Sequence, residues 1–328
     1  MSERELTTPV KLILASGLLN TDAVGWARRS LIDTSGINGR RGWPRNKRWE
    51  YWNVVTPTHV LAATVSSIDY AAVHEVWVLD RATQQTWGTA ATVLPARGAV
   101  LPANLHGGVA SARAKDLAID ITPEAGGVRL QAQTPQVSFD VRVSRPADQD
   151  CLAVVVPWTV RRFQYTVKDV AQPASGSLVI DGVRHEVPAG QSWAVLDHGR
   201  GRWPYNVAWN WGAGSGLVNG QVFGIQVGGK WTVGSGSTEN GILLGGRMHK
   251  ISEELDWNYD LADWRRPWRV VGGELDATFT PEFNRQASSN FGVISSRTDQ
   301  CFGYWSGRFA DVAFEGIYGW AEDVHNRW

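Results

Sequence analysis

The sequence predicts an all-β protein, built as barrels or sandwiches of short antiparallel strands. Three observations carry this expectation. Apolar and polar residues alternate with period two along most of the chain, and Gly, Pro and Asn-Gly or Asp-Gly pairs break it at short intervals. Segments with the 3.6-residue period of an amphipathic helix are nearly absent.

Taken in order, Lys47 to Trp52 alternates charged and aromatic residues. On a strand this sets Trp49 and Tyr51 on one face and Arg48, Glu50 and Trp52 on the other. His59–Val65 and Glu75–Leu79 follow as apolar strands. Leu117–Thr122, Val128–Thr134 and Val137–Val143 alternate strictly, with turns at Glu124–Gly127 and Thr134–Gln136. Leu152–Val156 is a continuous apolar run. Leu178–Ile180 and Val183–Val187 flank Asp181-Gly182, and Asn219-Gly220 precedes Val222–Val227; both pairs are strong hairpin signals. Ile242–Leu244, Leu275–Phe279 and Val312–Ile317 complete the strands, and only Ile251–Leu255 and Pro281–Gln286 read as short helical turns. Pro173–Gly176 (PASG) has the composition of a linker. With 328 residues, a division into two β domains is expected, residues 1–165 and 166–328.

Lys+Arg and Asp+Glu are 32 each, so the formal net charge is zero and no global field exists to collect nucleic acid or an anionic membrane. The pairs Arg40/Arg41, Lys47/Arg48 and Arg265/Arg266 read as stacking or ion-pairing residues beside their tryptophans. Two cysteines, Cys151 and Cys301, read as reduced, buried thiols. The start lacks a basic n-region, and no apolar run approaches the ~18 residues of a membrane span. The expectation is a cytoplasmic protein without stable membrane insertion.

The abnormal number is 18 Trp, against 7 Tyr and 9 Phe. They are spread from Trp26 to Trp328 without a fixed period, which argues against a repeat array. So much indole suits a cavity for a large apolar ligand, a sugar platform, or a wide barrel filled with bulk.

The segment Asp197–Gly216, DHGRGRWPYNVAWNWGAGSG, is the densest signal. It sets Asp197 and His198 beside Arg200, Trp203, Tyr205, Trp209 and Trp211. A binding cavity needs such a mixture of apolar wall and convergent polar groups. Neighbours on a strand point to opposite faces, so one of Asp197 and His198 enters the cavity and the other is structural. A carboxyl walled by indoles loses hydration, keeps its proton towards neutrality and can act as a general acid. Indole faces then stabilise the cation that protonation makes. The alternative is an Asp paired with Arg200 or Arg202 and inert. Glu239-Asn240, in the Gly/Ser-rich stretch GSGSTENG, is a second polar pair, with a turn-forming role as its alternative.

Other motifs fail on inspection. GIQVGGK at 224–230 has phosphate-loop spacing, but Trp231 stands where a Ser or Thr is needed and a strand follows. His198, His249 and His325 are far apart, and no metal or cofactor is expected.

The stretches KRWEYWNV, YTVKDVAQPASGSLVIDG, AVLDHGRGRWPYNVAWNWGAG, STENGILLGGRMHKI and FGYWSGRF…GWAEDVHNRW together resemble the uncharacterised domain-of-unknown-function family number 2804, over nearly the whole chain. That family is distantly similar to the AttH-like and carotenoid 1,2-hydratase group, whose central region carries an Asp-His followed by a Trp-Gly. Asp197-His198 and Trp211-Gly212 match those types, with a longer separation here. The resemblance implies two lipocalin-like β domains packed together around a ligand cavity.

The expected function is binding of an apolar small molecule, an isoprenoid, lipid or polyketide-like compound, with Asp197 or His198 as general acid of a hydratase or cyclase. Arg200, Trp203, Tyr205, Trp209, Trp211, Asn240 and Trp52 are the expected ligand contacts. One alternative is a glycoside-active enzyme using Asp197 and Glu239 as paired carboxylates. Another is a binding protein without turnover.

Overall fold

The computed structural model describes residues 2–37, 41–290 and 292–328; Arg40, read from the sequence as half of a stacking pair, lies outside them. Two large antiparallel sheets make up nearly all of it. The described residues contain no α-helix, only the single-turn 3-10 helices Thr21–Ala23 and Ser35–Ile37. No helix is long and apolar enough to cross a membrane.

In the first sheet, Thr86–Val93, Ala72–Asp80, His59–Ser67, Asn46–Val55, Val183–Arg202, Arg162–Ile180 and Val137–Ser144 are successive neighbours. Gly127–Gln133, Leu117–Glu124, Ala110–Ala114 and Ala99–Val100 continue it; Leu152–Thr159 branches from Arg162–Ile180 and in turn pairs with Gly25–Ala27. The second sheet runs Arg247–Ile251, Asn240–Leu244, Gln221–Gly229, Asn206–Val218, Val312–Arg327, Ser295–Phe309, Leu275–Asn290, Trp268–Gly272, Asp256–Asn258. Each sheet curls into a half-barrel around its own core.

The hairpin signals act as expected. Asp181 and Gly182 have φ of 49° and 84°, and Asn219 and Gly220 have 51° and 75°, the paired positive values a two-residue turn requires. Two composition-based readings are corrected. Pro173–Gly176 is not a linker but lies inside the strand Arg162–Ile180, where a bulge between Ala174 and Gly176 absorbs the irregularity. Pro281–Gln286 is not helical but part of the strand Leu275–Asn290; a bulge falls between Pro281 and Phe283, where a missing N–H is tolerated. Ile251 closes a strand, and no helix follows it. The division expected at 165/166 falls within the strand Arg162–Ile180; the chain passes from the first sheet to the second at 203–205.

Four apolar clusters result among the described residues, a small one under the N-terminal segment around Leu12, Ile32, Phe163 and Tyr165 and three larger ones. One fills the first half-barrel, around Trp52, Leu61, Ile119, Leu130 and Leu196. Another fills the second, around Phe223, Trp268, Phe279 and Trp305. A third lies between the sheets and gathers Trp26, Trp77, Trp203, Trp211, Trp231 and Trp320, with Trp49, Trp158, Trp193, Trp209 and Trp328 packed against it. Cys151 and Cys301 are free and buried.

Candidate active site between the sheets

The strand Val183–Arg202 turns the sequence DHGRGR into two chemically different faces. Asp197, Gly199 and Gly201 face the second sheet; His198, Arg200 and Arg202 face the opposite way. The glycines make room: a Cβ at Gly199 would stand 2.2 Å from the Trp49 ring, and one at Gly201 would stand 2.2 Å from Gln164 Oε1. Neighbouring strands add their own alternate residues to the same face. Arg162–Ile180 contributes Gln164, Thr166 and Lys168, and Asn46–Val55 contributes Trp49 and Tyr51.

Lys168 organises the polar centre. Its Nζ lies 3.1 Å from Asp197 Oδ2, 3.5 Å from Glu239 Oε2 and 3.7 Å from the centroid of the Trp211 ring. Thr166 Oγ1 donates to Asp197 Oδ1 at 3.2 Å. Burial works against the charge on Lys168, but Asp197 and Glu239 outweigh it and raise its pKa. Glu239 accepts from Trp231 Nε1 at 2.6 Å, packed where Gly228 has no side chain. Burial raises its pKa, with Lys168 opposing.

The second sheet supplies a third carboxyl. Glu322, on Val312–Arg327, accepts from Trp209 Nε1 at 2.9 Å and from Gln300 Nε2 at 3.0 Å. Burial pushes its pKa up to about 7, against the pull of Trp209 and Lys168 and reinforced by Asp197. Trp211 donates to Gln226 Oε1 at 2.8 Å and packs edge-on to Tyr51 and Trp320. Two carboxyls thus share the Lys168 ammonium, and a third, Glu322, lies within reach of its field, all within walls of indole.

The tryptophans continue between the sheets. Trp203 stacks on Trp231 with centroids 5.6 Å apart, and the edges of Trp49, Trp158, Trp209 and Trp328 surround it. Its Nε1 donates to Gln164 Oε1 at 2.6 Å. Trp203 and Trp211 are buried, whereas Trp49, Trp158, Trp209 and Trp328 are half-buried, so this end approaches solvent.

Of the residues singled out in the sequence, Asp197, Glu239, Trp203, Trp209 and Trp211 come together here. The others do not. His198 lies on the opposite face of its strand, its Nδ1 3.6 Å from Glu50 Oε1, and burial with Arg200 nearby lowers its pKa to about 4. Arg200 donates to Trp49 O, Gly199 O and Pro102 O on that same side. Trp52 belongs to the core of the first half-barrel. Asn240 bridges the Gly228 N–H and Glu253 O, a structural role. Tyr205 is exposed, its hydroxyl donating to Val293 O. Lys168, Glu322, Gln226, Gln300 and Trp231 were not singled out. For Lys168 the available signal was alternation: QYTVK places Gln164, Thr166 and Lys168 on one face of a strand. Two surface hollows, about 270 Å³ beside Asp120 and Asp140 and about 580 Å³ beside Tyr259 and Arg266, share no residue with this centre.

Two half-barrels closed over a buried polar centre define a lipocalin-like β fold. The chain belongs to the family described as domain of unknown function 2804, whose profile matches residues 3–328. Comparison of the sequence with curated proteins returns no match. Among solved structures, kievitone hydratase from Nectria haematococca is similar with a TM-score of 0.61 at 13% identity, over 99% of this chain and 97% of its own. A putative AttH from Nitrosomonas europaea has a TM-score of 0.55 at 14% identity, over 87% of this chain and 94% of its own. CghA, solved with Sch210972, has a TM-score of 0.53 at 9% identity, over 87% and 89%. These similarities concern the fold.

Proposed function

We propose that the protein binds an apolar small molecule between its sheets and acts on a carbon–carbon double bond in it, as a hydratase or cyclase. One arrangement carries this: Lys168, Asp197, Glu239 and Glu322 gather inside walls of tryptophan, where water is scarce and burial raises the pKa of Glu239 and Glu322. Glu322 is the general acid, protonated up to about pH 7 by burial. Its proton adds to the double bond, and the faces of Trp209 and Trp211 stabilise the cation. In hydration a water oxygen attacks that cation and its proton passes to Asp197, which Lys168 and Thr166 hold in place. In cyclisation an internal double bond attacks instead, and the proton leaves from a neighbouring carbon. Kievitone hydratase and CghA with Sch210972, both small-molecule proteins by name or content, support the reading at the level of fold.

The glycosidase alternative has less behind it. Asp197 and Glu239 both pair with Lys168, which fills the space a glycosidic bond needs between them. The indoles also stack on one another rather than lying exposed and parallel. Buried, free Cys151 and Cys301 fit a cytoplasmic setting.

The test is solvent deuterium. Small molecules that co-purify with the protein are extracted, identified by mass spectrometry and returned to it in D₂O. A hydratase or cyclase places deuterium on carbon, and Glu322→Gln does not. Binding without any carbon-bound deuterium in the wild type refutes turnover and leaves a carrier.

A further inference from the structure

The half-buried end of the indole cluster is rich in cations. Lys47 is fully buried on the cleft face of Asn46–Val55, its Nζ 4.7 Å from the Tyr70 ring centroid and 5.2 Å from that of Trp328. The hydrogen bond it makes is to Ile68 O, at 3.3 Å. Arg45 donates to Trp328 O at 2.8 Å, lies over the Tyr205 ring and accepts the Trp203 N–H on its carbonyl. Arg162 precedes Gln164 by two on the same strand and so shares its face. Arg45 repels both Lys47 and Arg162. The acid that acts on Lys47 is Asp69, which accepts from Asn46 N and Nδ2. Among the described residues, no Asp or Glu carboxylate lies within 4.0 Å of Lys47, Arg45 or Arg162, and the oxygen that Arg45 holds belongs to Trp328, the last residue given.

A surface patch of arginines is ordinary, but a lysine buried without an Asp or Glu against it is not; burial, with Arg45 adding to it, brings its pKa down to about 7, and an anion beside it would restore the charge. Low-dielectric surroundings make an unpaired charge costly, and like charges beside it add to the cost. A second observation points the same way: the buried Gln164 amide leaves its Nε2 donor without a partner, next along the strand from Arg162. Cations and a spare N–H donor converge where half-buried indoles meet solvent. An anion would satisfy all of them.

We propose that the molecule bound in the cleft carries an anionic group, a carboxylate or a phosphate, at one end of its apolar body, and that Lys47, Arg45 and Arg162 hold it. The inference rests on the cleft being the ligand site. Register sets the spacing. Lys47 pairs with Gly201, and Tyr51 pairs with Asp197, so four residues separate the cationic end from the carboxyl centre along one strand. That is about 13 Å at the usual strand rise. The reacting double bond therefore lies one apolar chain-length away from the anionic group.

Calorimetry with farnesyl phosphate, farnesoic acid and farnesol tests this, with tryptophan quenching as a second readout. The two anions are expected to bind about tenfold more tightly than farnesol, a margin that shrinks with added salt. Lys47→Met and Arg162→Gln should each bring the ratio of anion to farnesol affinity towards one; Arg162 is only half-buried, so its variant keeps the test alive if Lys47→Met fails to fold. The phosphate and carboxylate arms tell the two anion types apart. Equal binding of all three, lost in Trp209→Ala, overturns the anionic group and spares the cleft. An anion margin that survives both cation variants also overturns it. Failure of all three to bind overturns the proposal and the reading of the cleft together.

Discussion

Lys168 and Asp197 are register partners on adjacent strands, and their Nζ and Oδ2 atoms lie 3.1 Å apart on the face that meets the second sheet. The pair is nearly sealed from solvent, with 6% and 12% of the side chains exposed. Removing one member strands the other's charge, together with Glu239. Lys168→Met is expected to destabilise the fold by about 3–5 kcal/mol at neutral pH. The double variant Lys168→Met/Asp197→Leu should lose less than Lys168→Met alone, because no isolated charge remains at that position. Urea unfolding of the two variants and the wild type checks the order; a double variant less stable than the single one contradicts it.

Glu322 gives a pH signature. Its folded pKa is about 7 against an ordinary 4.5, so between those values the unfolded chain releases a proton that the folded chain keeps. Stability therefore falls as pH rises from about 4.5 to 7, by a contribution on the order of 3 kcal/mol. Glu322→Gln should remove that part of the fall and be more stable than wild type at pH 8. Turnover should decline as pH rises through about 7, when the acid form is lost. Parallel pH profiles of unfolding free energy for the two proteins would expose an error, since the account has them diverge only above about pH 4.5.

His198 gives the opposite sign. Its folded pKa is about 4, below the ordinary 6.5, so the unfolded chain takes up the extra proton in between. Its contribution to stability is complete above about 6.5 and is lost as pH falls towards 4. His198→Gln should flatten that window while ligand affinity and turnover persist, because the side chain faces Glu50 and away from the cleft. Loss of turnover in a folded His198→Gln variant would show that the imidazole serves the reaction.

Gly199 and Gly201 test how the indoles are seated. At Gly201 a Cβ would come within 2.4 Å of Phe163 O, a backbone atom that cannot swing aside. Gly201→Ala should cost about 1–3 kcal/mol. At Gly199 the obstacle is the Trp49 ring, which can be displaced. Gly199→Ala should move Trp49 off Trp203 and weaken ligand binding more than stability. Thermal melts beside fluorescence titrations separate the two effects.

Local chemistry was legible in the sequence, and long-range register was not. Asp181-Gly182 and Asn219-Gly220 specify their turns through the residues themselves, so the hairpins could be read directly. Alternation likewise separates Trp49 and Tyr51 from Trp52, and the structure puts them on opposite faces of one strand. Which face meets the second sheet depends on a packing no local pattern encodes. Lys168 and Glu322 escaped notice for the same reason: they lie 154 positions apart in the chain and meet only because two sheets close on each other. Pro173–Gly176 misled because proline composition signals loops on average, and Pro281–Gln286 because a proline can open a helical turn, whereas a bulge lets a strand carry either.

The most direct test is a crystal structure of the protein grown with farnesoic acid. The account predicts electron density between the sheets, along Trp203, Trp209 and Trp211, with the carboxylate at Lys47 and the chain reaching towards Asp197 and Glu322. Density inside a half-barrel instead, beside Trp52 and Leu196 or beside Trp268 and Trp305, would contradict it.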